Sequence, residues 1–205
     1  MSGMQAKEQA GDMGEKRIEE KIAQFPICEY AFIRPEEIPF SEKVRYICRT
    51  ECPRYGTSWA CPPAVGTLEE CRERCLAFEK GFIFTTVSEG ADLENMDAML
   101  AMRGGHEKIT RRIVEIFREN YEEVQAFSTE SCAICETCSY PDAPCRHPDY
   151  MLPSVEGQGI LVTELAERHG MTFLNGSNVV TWFSLILYAG EKAALQRRSY
   201  ENHLF

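Results

Sequence analysis

Cys132-Ala-Ile-Cys135-Glu-Thr-Cys138-Ser-Tyr-Pro-Asp-Ala-Pro-Cys145-Arg-His-Pro148 is the stretch around which the chain is organised. Two residues separate each of the first three cysteines, six precede the fourth, and a proline lies three positions beyond it. Thiolates so close together in a loop curl over one side of a metal centre, and the more distant cysteine closes it. Bacterial ferredoxins wrap a [4Fe–4S] cluster in this manner, with three cysteines at two-residue spacing and a later cysteine followed by proline. The longer last gap and the displaced proline make this stretch a relative of that pattern. Zinc is the alternative. Its sites usually take two separated ligand pairs, although three successive thiols plus a fourth can also hold it. Disulfides would need an oxidising compartment.

A second group precedes it: Cys48-Arg-Thr-Glu-Cys52-Pro-Arg-Tyr-Gly-Thr-Ser-Trp-Ala-Cys61-Pro-Pro63. Its spacing differs from the Cys-x3-Cys-x2-Cys signature of radical enzymes that cleave S-adenosylmethionine, and the chain is short for their barrel. Tyr55-Gly56 reads as a turn, Trp59 as an apolar lid over the site and Pro62-Pro63 as an extended exit. The helix expected over Thr67–Phe78 opens with the capping-box pair Thr67 and Glu70. It carries Cys71 and Cys75 on one face, four residues apart. Cys71 is the nearest candidate for the fourth ligand. Cys75 and, more remotely, Cys28 are the other choices; each also reads as a buried thiol, since free cysteine behaves as a small hydrophobe.

With 205 residues, 44 % of them apolar and 26 % charged, the chain has the composition of a globular protein with a sizeable core. A formal net charge of −10 makes a poor nucleic-acid binder, because phosphate affinity comes mainly from Lys and Arg. No run of apolar residues is long enough for a membrane helix. Residues 1–24 are polar and lack the apolar centre of a secretion signal. A cytoplasmic setting is therefore expected, in which ten cysteines stay reduced and point to metal or redox chemistry.

Residues 1–24 read as a flexible N-terminal segment, with a short polar helix over 15–24, ahead of a single cysteine-rich domain over 25–205. Strands are expected over 26–33, 81–87, 123–128 and 179–188. Helices are expected over 41–48 with Ser41 as N-cap, over 93–121 with an interruption at Gly104-Gly105, and over 153–168. His106 reads as a polar surface residue, and 191–202 as a polar tail. The order of strand 81–87, helix and strand 123–128 suggests parallel neighbours. The fold class is mixed α/β (α+β): a central sheet of about four or five strands, flanking helices and two cysteine-rich metal-binding loops.

Three motifs together resemble a family of prokaryotic, cysteine-rich predicted metal-binding proteins. They are Tyr55-Gly-Thr-Ser-Trp-Ala-Cys61-Pro-Pro63, the run from Cys132 to Pro148, and Pro153-Ser-Val-Glu-Gly157-x-Gly-Ile160. The likeness spans about Cys28 to Tyr188. The family more often has Met and Ala where this chain has Val155 and Gly157, changes that leave the cysteine positions intact. The resemblance implies metal binding and specifies no reaction.

The leading expectation is an iron–sulfur protein in electron transfer, with two [4Fe–4S] clusters and a redox partner protein. Cys132, Cys135, Cys138 and Cys145 would hold one cluster; Cys48, Cys52, Cys61 and Cys71 would hold the other. Arg49 and Arg146 would tune potential by charge. If Cys71 does not ligate, an open iron makes the protein a reductase or lyase with Glu51, Tyr55 or His147 as proton donors. From a different class, zinc would only stabilise a protein-interaction module. Gly104-Gly105 and Gly157-Gln-Gly159 lack the setting of a nucleotide loop.

Overall fold

The strands alternate cleanly. Phe82, Phe84, Ile186 and Tyr188 belong to one buried apolar cluster, while Ile83, Leu185 and Leu187 belong to another. Period-two alternation with both sets buried means a sheet covered on both faces. A computed structural model of the protein describes residues 13–90 and 96–192. Along the chain these form α1 (13–22), β1 (Tyr30–Ile33), α2 (Glu42–Thr50), α3 (Leu68–Leu76), β2 (Lys80–Glu89), α4 (Met96–Asn120), β3 (Tyr121–Ser128), α5 (Val162–Arg168) and β4 (Val179–Glu191). The protein is a single mixed α+β domain. Side chains of α1 and α4 fill one cluster, through Ile18, Ile22, Ile113 and Phe117. Those of α3 and α5 fill the other, through Cys75, Val162, Leu165 and Ala166.

The sheet has four strands in the order β1-β2-β4-β3, and every neighbouring pair is antiparallel. The expected parallel pairing of the second and third strands is therefore corrected. They do run in the same direction, but β4 lies between them, pairing Ile186 with both Phe82 and Ala126. The physical reason lies in β4 itself, whose residues 182–188 are all buried. A strand apolar on both faces is best satisfied at the centre, and the length of a crossover does not distinguish adjacent strands from strands one apart.

Helix α4 runs unbroken through Gly104-Gly105. Each glycine costs a helix about 1 kcal/mol relative to alanine, and burial of the Ile113, Val114 and Phe117 face offsets this. The uninterrupted phase turns His106 inward, correcting its surface reading. It is 2 % exposed. Its ring nitrogens lie 2.8 Å from Thr86 Oγ1 and 2.8 Å from Ser184 Oγ. Burial pushes its pKa down to about 4, against a backbone hydrogen bond at Phe183 that pulls the other way.

The helix expected over 153–168 is two pieces. A short 3-10 turn at Glu156–Gln158 closes on Gly159 at φ +81°, and α5 begins at Val162. Glycine is required there: a Cβ would stand 2.2 Å from Leu68 Cδ1, in a left-handed conformation that side chains resist. The N-caps read from the sequence are present, with Ser41 accepting from Lys43 N–H and Thr67 reciprocating with Glu70. The short N-terminal helix is found at 13–22, with Ile18 and Ile22 fully or almost fully buried. Cys28 is exposed ahead of β1, not buried. Residues 1–12, the first residues of the helix expected from 93, and the polar tail beyond 192 lie outside the described residues. Among the described residues no helix is long and apolar enough to cross a membrane.

Candidate metal centre

Four segments meet at the carboxyl end of β3 to build the first cavity. Helix α2 brings Cys48 in its last turn and releases the chain at Glu51, just before Cys52. The segment holding Cys61 is fastened by Ser154 N–H to Ala60 O at 2.8 Å, and it turns back on itself instead of leaving extended, with Val65 N–H reaching Cys61 O at 3.3 Å. Ser128, the last residue of β3, receives Val155 N–H at 2.9 Å and donates to Pro153 O at 3.0 Å. The result is a cavity of about 170 Å³ whose wall includes Cys48, Cys52, Cys61, Tyr55, Glu130 and Glu156. Burial, then the neighbouring Cys52 and Glu156 charges, raises the Cys48 thiol. The same causes, burial first, push Cys61 up to about 12. Loading these thiols with a metal therefore displaces protons.

Cys71 is not part of that wall. It is buried in α3, where Arg74 Nη2 donates to its sulfur at 3.2 Å and Arg45 Nη1 approaches at 3.8 Å. These arginines also grip Val65 O, Gly66 O and Gln158 Oε1, so Cys71 sits at the knot tying α3 to the 157–158 turn. Cys75 faces the core beneath the sheet, and burial pushes its thiol up to about 12. Glu51 and Arg49 are exposed, while Arg54 lines the cavity.

The second cavity is narrow, about 20 Å³, with room for roughly one water. Cys132, Cys135, Cys138 and Cys145 all line it, together with Ser58 and Trp59. Burial raises Cys138, but backbone N–H groups of Tyr140, Trp59 and Ser139 and the Ser58 hydroxyl pull it below its usual value. Cys132 is raised by burial, opposed by N–H groups of Ile134 and Leu152. Trp59, expected as a lid on the first site, instead covers the second. Its indole N–H donates to Ala143 O at 3.0 Å, and its ring meets Tyr140 edge-on at 4.9 Å. Arg146 donates to Thr137 O, and His147 is an exposed part of the same wall.

Glu107 of α4 anchors this loop. It is 1 % exposed, pairs with Arg111 at 2.5 Å, and accepts Ala133 N–H at 2.9 Å. The two cavities are contiguous in sequence twice over, since Ser131 lines one and Cys132 the other, while Ser58 and Trp59 of the second lie within three residues of Cys61.

A family model described as Predicted metal-binding protein (DUF2284) matches residues 31–188, well over half the chain. The chain belongs to that family. No curated protein and no solved structure matches it. For a DUF2284 member the two thiol-lined cavities are the natural place to look for the metal, because soft thiolate sulfur suits zinc and iron–sulfur centres. Among the described residues no three His, Cys, Asp or Glu side chains form a ready site for a single metal ion. The donor chemistry nevertheless fits a thiolate-bound centre. Four thiols share one wall and three share the other, a soft donor set of the kind that holds a thiolate-bound centre. The sequence reading missed Glu156, Glu130 and Glu107. Glu156 was within reach, since it stands inside the Pro153–Ile160 motif; nothing local marks Glu130, whose φ of 64° is set by the meeting of the segments.

Proposed function

We propose that this metal-binding protein is a cytoplasmic electron carrier with two [4Fe–4S] clusters, one held by Cys132, Cys135, Cys138 and Cys145 and one centred on Cys48, Cys52 and Cys61. The observation that carries the reading is a single narrow cavity lined by Cys132, Cys135, Cys138 and Cys145 together, with Ser58 and Trp59 beside them. A [4Fe–4S] cluster supplies one-electron chemistry, with a potential tuned by hydrogen bonds to sulfur and by solvent exposure. The Ser58 hydroxyl and the N–H groups of Trp59, Ser139 and Tyr140 are placed to hold the extra negative charge on sulfur in the reduced state. Trp59 and Tyr140 shield that side from water. Arg146, on the same wall, adds positive charge at the exposed rim. The narrow cavity has to widen to take a cluster, and exposed residues 141–144 and 146–149 are the part of the loop with room to move. That face is also where a redox partner protein would meet the centre.

Anaerobic titration with dithionite tests the reading. A brown protein that bleaches on reduction and gains the electron-paramagnetic-resonance signal of reduced clusters is expected. A colourless protein that binds zinc and takes up no electrons would favour the interaction-module reading instead. A second reading, a reductase or lyase, is favoured by one feature: Tyr55 and Glu156 share the first cavity with only three thiols.

A further inference from the structure

The first cavity presents three thiols, and the nearest fourth cysteine, Cys71, is turned into an arginine knot outside the wall. We infer that the carboxylate of Glu156 is the fourth ligand of the centre held by Cys48, Cys52 and Cys61. This rests on the electron-carrier reading above and identifies the ligand set of one of its two sites.

Several observations single out this residue. Glu156 lies on the cavity wall, and its backbone carbonyl is 3.9 Å from Cys48 Sγ. Two donors orient it: Glu130 N–H at 3.2 Å and Ser154 Oγ at 2.9 Å, both to Oε2. A carboxylate has about four lone-pair sites, so capacity remains for a metal. Hydrogen-bonded support of this kind is what fixes a ligating carboxylate. The left-handed backbone of Glu130 aims its N–H into this contact, and the closed turn at Gly159 holds Glu156 against the cavity. The wall's other carboxylate belongs to Glu130, whose side chain no hydrogen bond or ion pair among the described residues orients; the remaining oxygen donors include the neutral hydroxyls of Tyr55, Ser131 and Ser154, and Ser154 is already engaged with Glu156 and Gly157.

Non-cysteine ligation has a precedent in Rieske centres, where histidine replaces cysteine. Carboxylate oxygen is a harder donor than thiolate and suits the irons of a sulfide cage less well. The iron it holds is therefore the exchangeable one. Glu156 and Glu130 also line an adjoining cavity of about 280 Å³ with Phe173, Trp182 and Phe183, so that iron is the one beside space for a small molecule.

The test uses the full chain, reconstituted anaerobically with iron and sulfide, as wild type and as Glu156→Ala, Glu156→Cys and Cys71→Ser. Mössbauer spectroscopy of wild type should show one iron of the first centre distinct from the rest. Glu156→Ala should shed that iron on mild oxidation and give the resonance signal of a three-iron cluster, leaving the second centre intact. Glu156→Cys should keep all four irons with thiolate-like parameters, which separates loss of a ligand from loss of fold. Cys71→Ser should match wild type. Four firmly held irons in Glu156→Ala, or the three-iron signal in Cys71→Ser, would overturn this ligand assignment alone. A wild-type chain that takes up no iron and sulfide would overturn the electron-carrier reading, and this assignment with it.

Discussion

His106 is neutral inside a ring of hydroxyls, and that state has a pH signature. Its folded pKa, about 4, lies below the ordinary 6.5, so between these values the unfolded chain binds the extra proton. Stability from this group is complete above pH 6.5 and is lost as pH falls toward 4, by about 3 kcal/mol in all. Denaturation curves of wild type and His106→Gln across that window should differ in slope, with wild type the steeper; equal slopes would refute the assignment. Gly159 is the second residue with a sharp consequence. Gly159→Ala combines positive φ with a clash on Leu68, and should lower unfolding stability by roughly 2–4 kcal/mol, measured by urea titration. Neither effect was legible in the sequence. His106 follows two glycines, and local propensity reads them as a break; the tertiary face that keeps the helix going consists of residues up to eleven positions later, ending at Phe117.

At the level of elements, capping and periodicity carried most of the information. Ser41, Thr67 and Glu70 announce α2 and α3 because the capping partners are within three residues, and the aromatic and β-branched runs of 81–87 and 179–188 announce β2 and β4. Strand order did not follow, because it depends on which strand is most apolar on both faces. The docking of the second cysteine loop on α4 was also invisible, since Glu107 and Ala133 are far apart in the chain. Glu107→Gln removes the negative member of a buried cluster with Arg103 and Arg111, in which Arg103 Nε lies 3.7 Å from the carboxylate. Such a change should cost about 3 kcal/mol. It should also loosen the loop, seen as faster hydrogen exchange at Ala133 in particular. Unchanged exchange there would mean that the loop is held by other contacts.

For the whole molecule, the covered sheet is a rigid floor, and both cavities lie beside the carboxyl end of β3, where the chain passes from Ser131 on one wall to Cys132 on the other. That the cysteines of each group would lie together was legible because their spacing is local. That Glu130 and Glu156 share the first cavity with three of them was not, because it is set by which segment the fold brings across. Two centres so close should still load separately: Cys132→Ser should lose the second and keep the first, and Cys61→Ser the reverse, as read from iron per chain. The most direct test of the central claim is the iron, zinc and acid-labile sulfide content of the chain purified without oxygen. Two cubanes predict about eight irons and eight sulfides per chain, at four of each per cluster, in a brown protein. Stoichiometric zinc without sulfide, in a colourless protein, would contradict it.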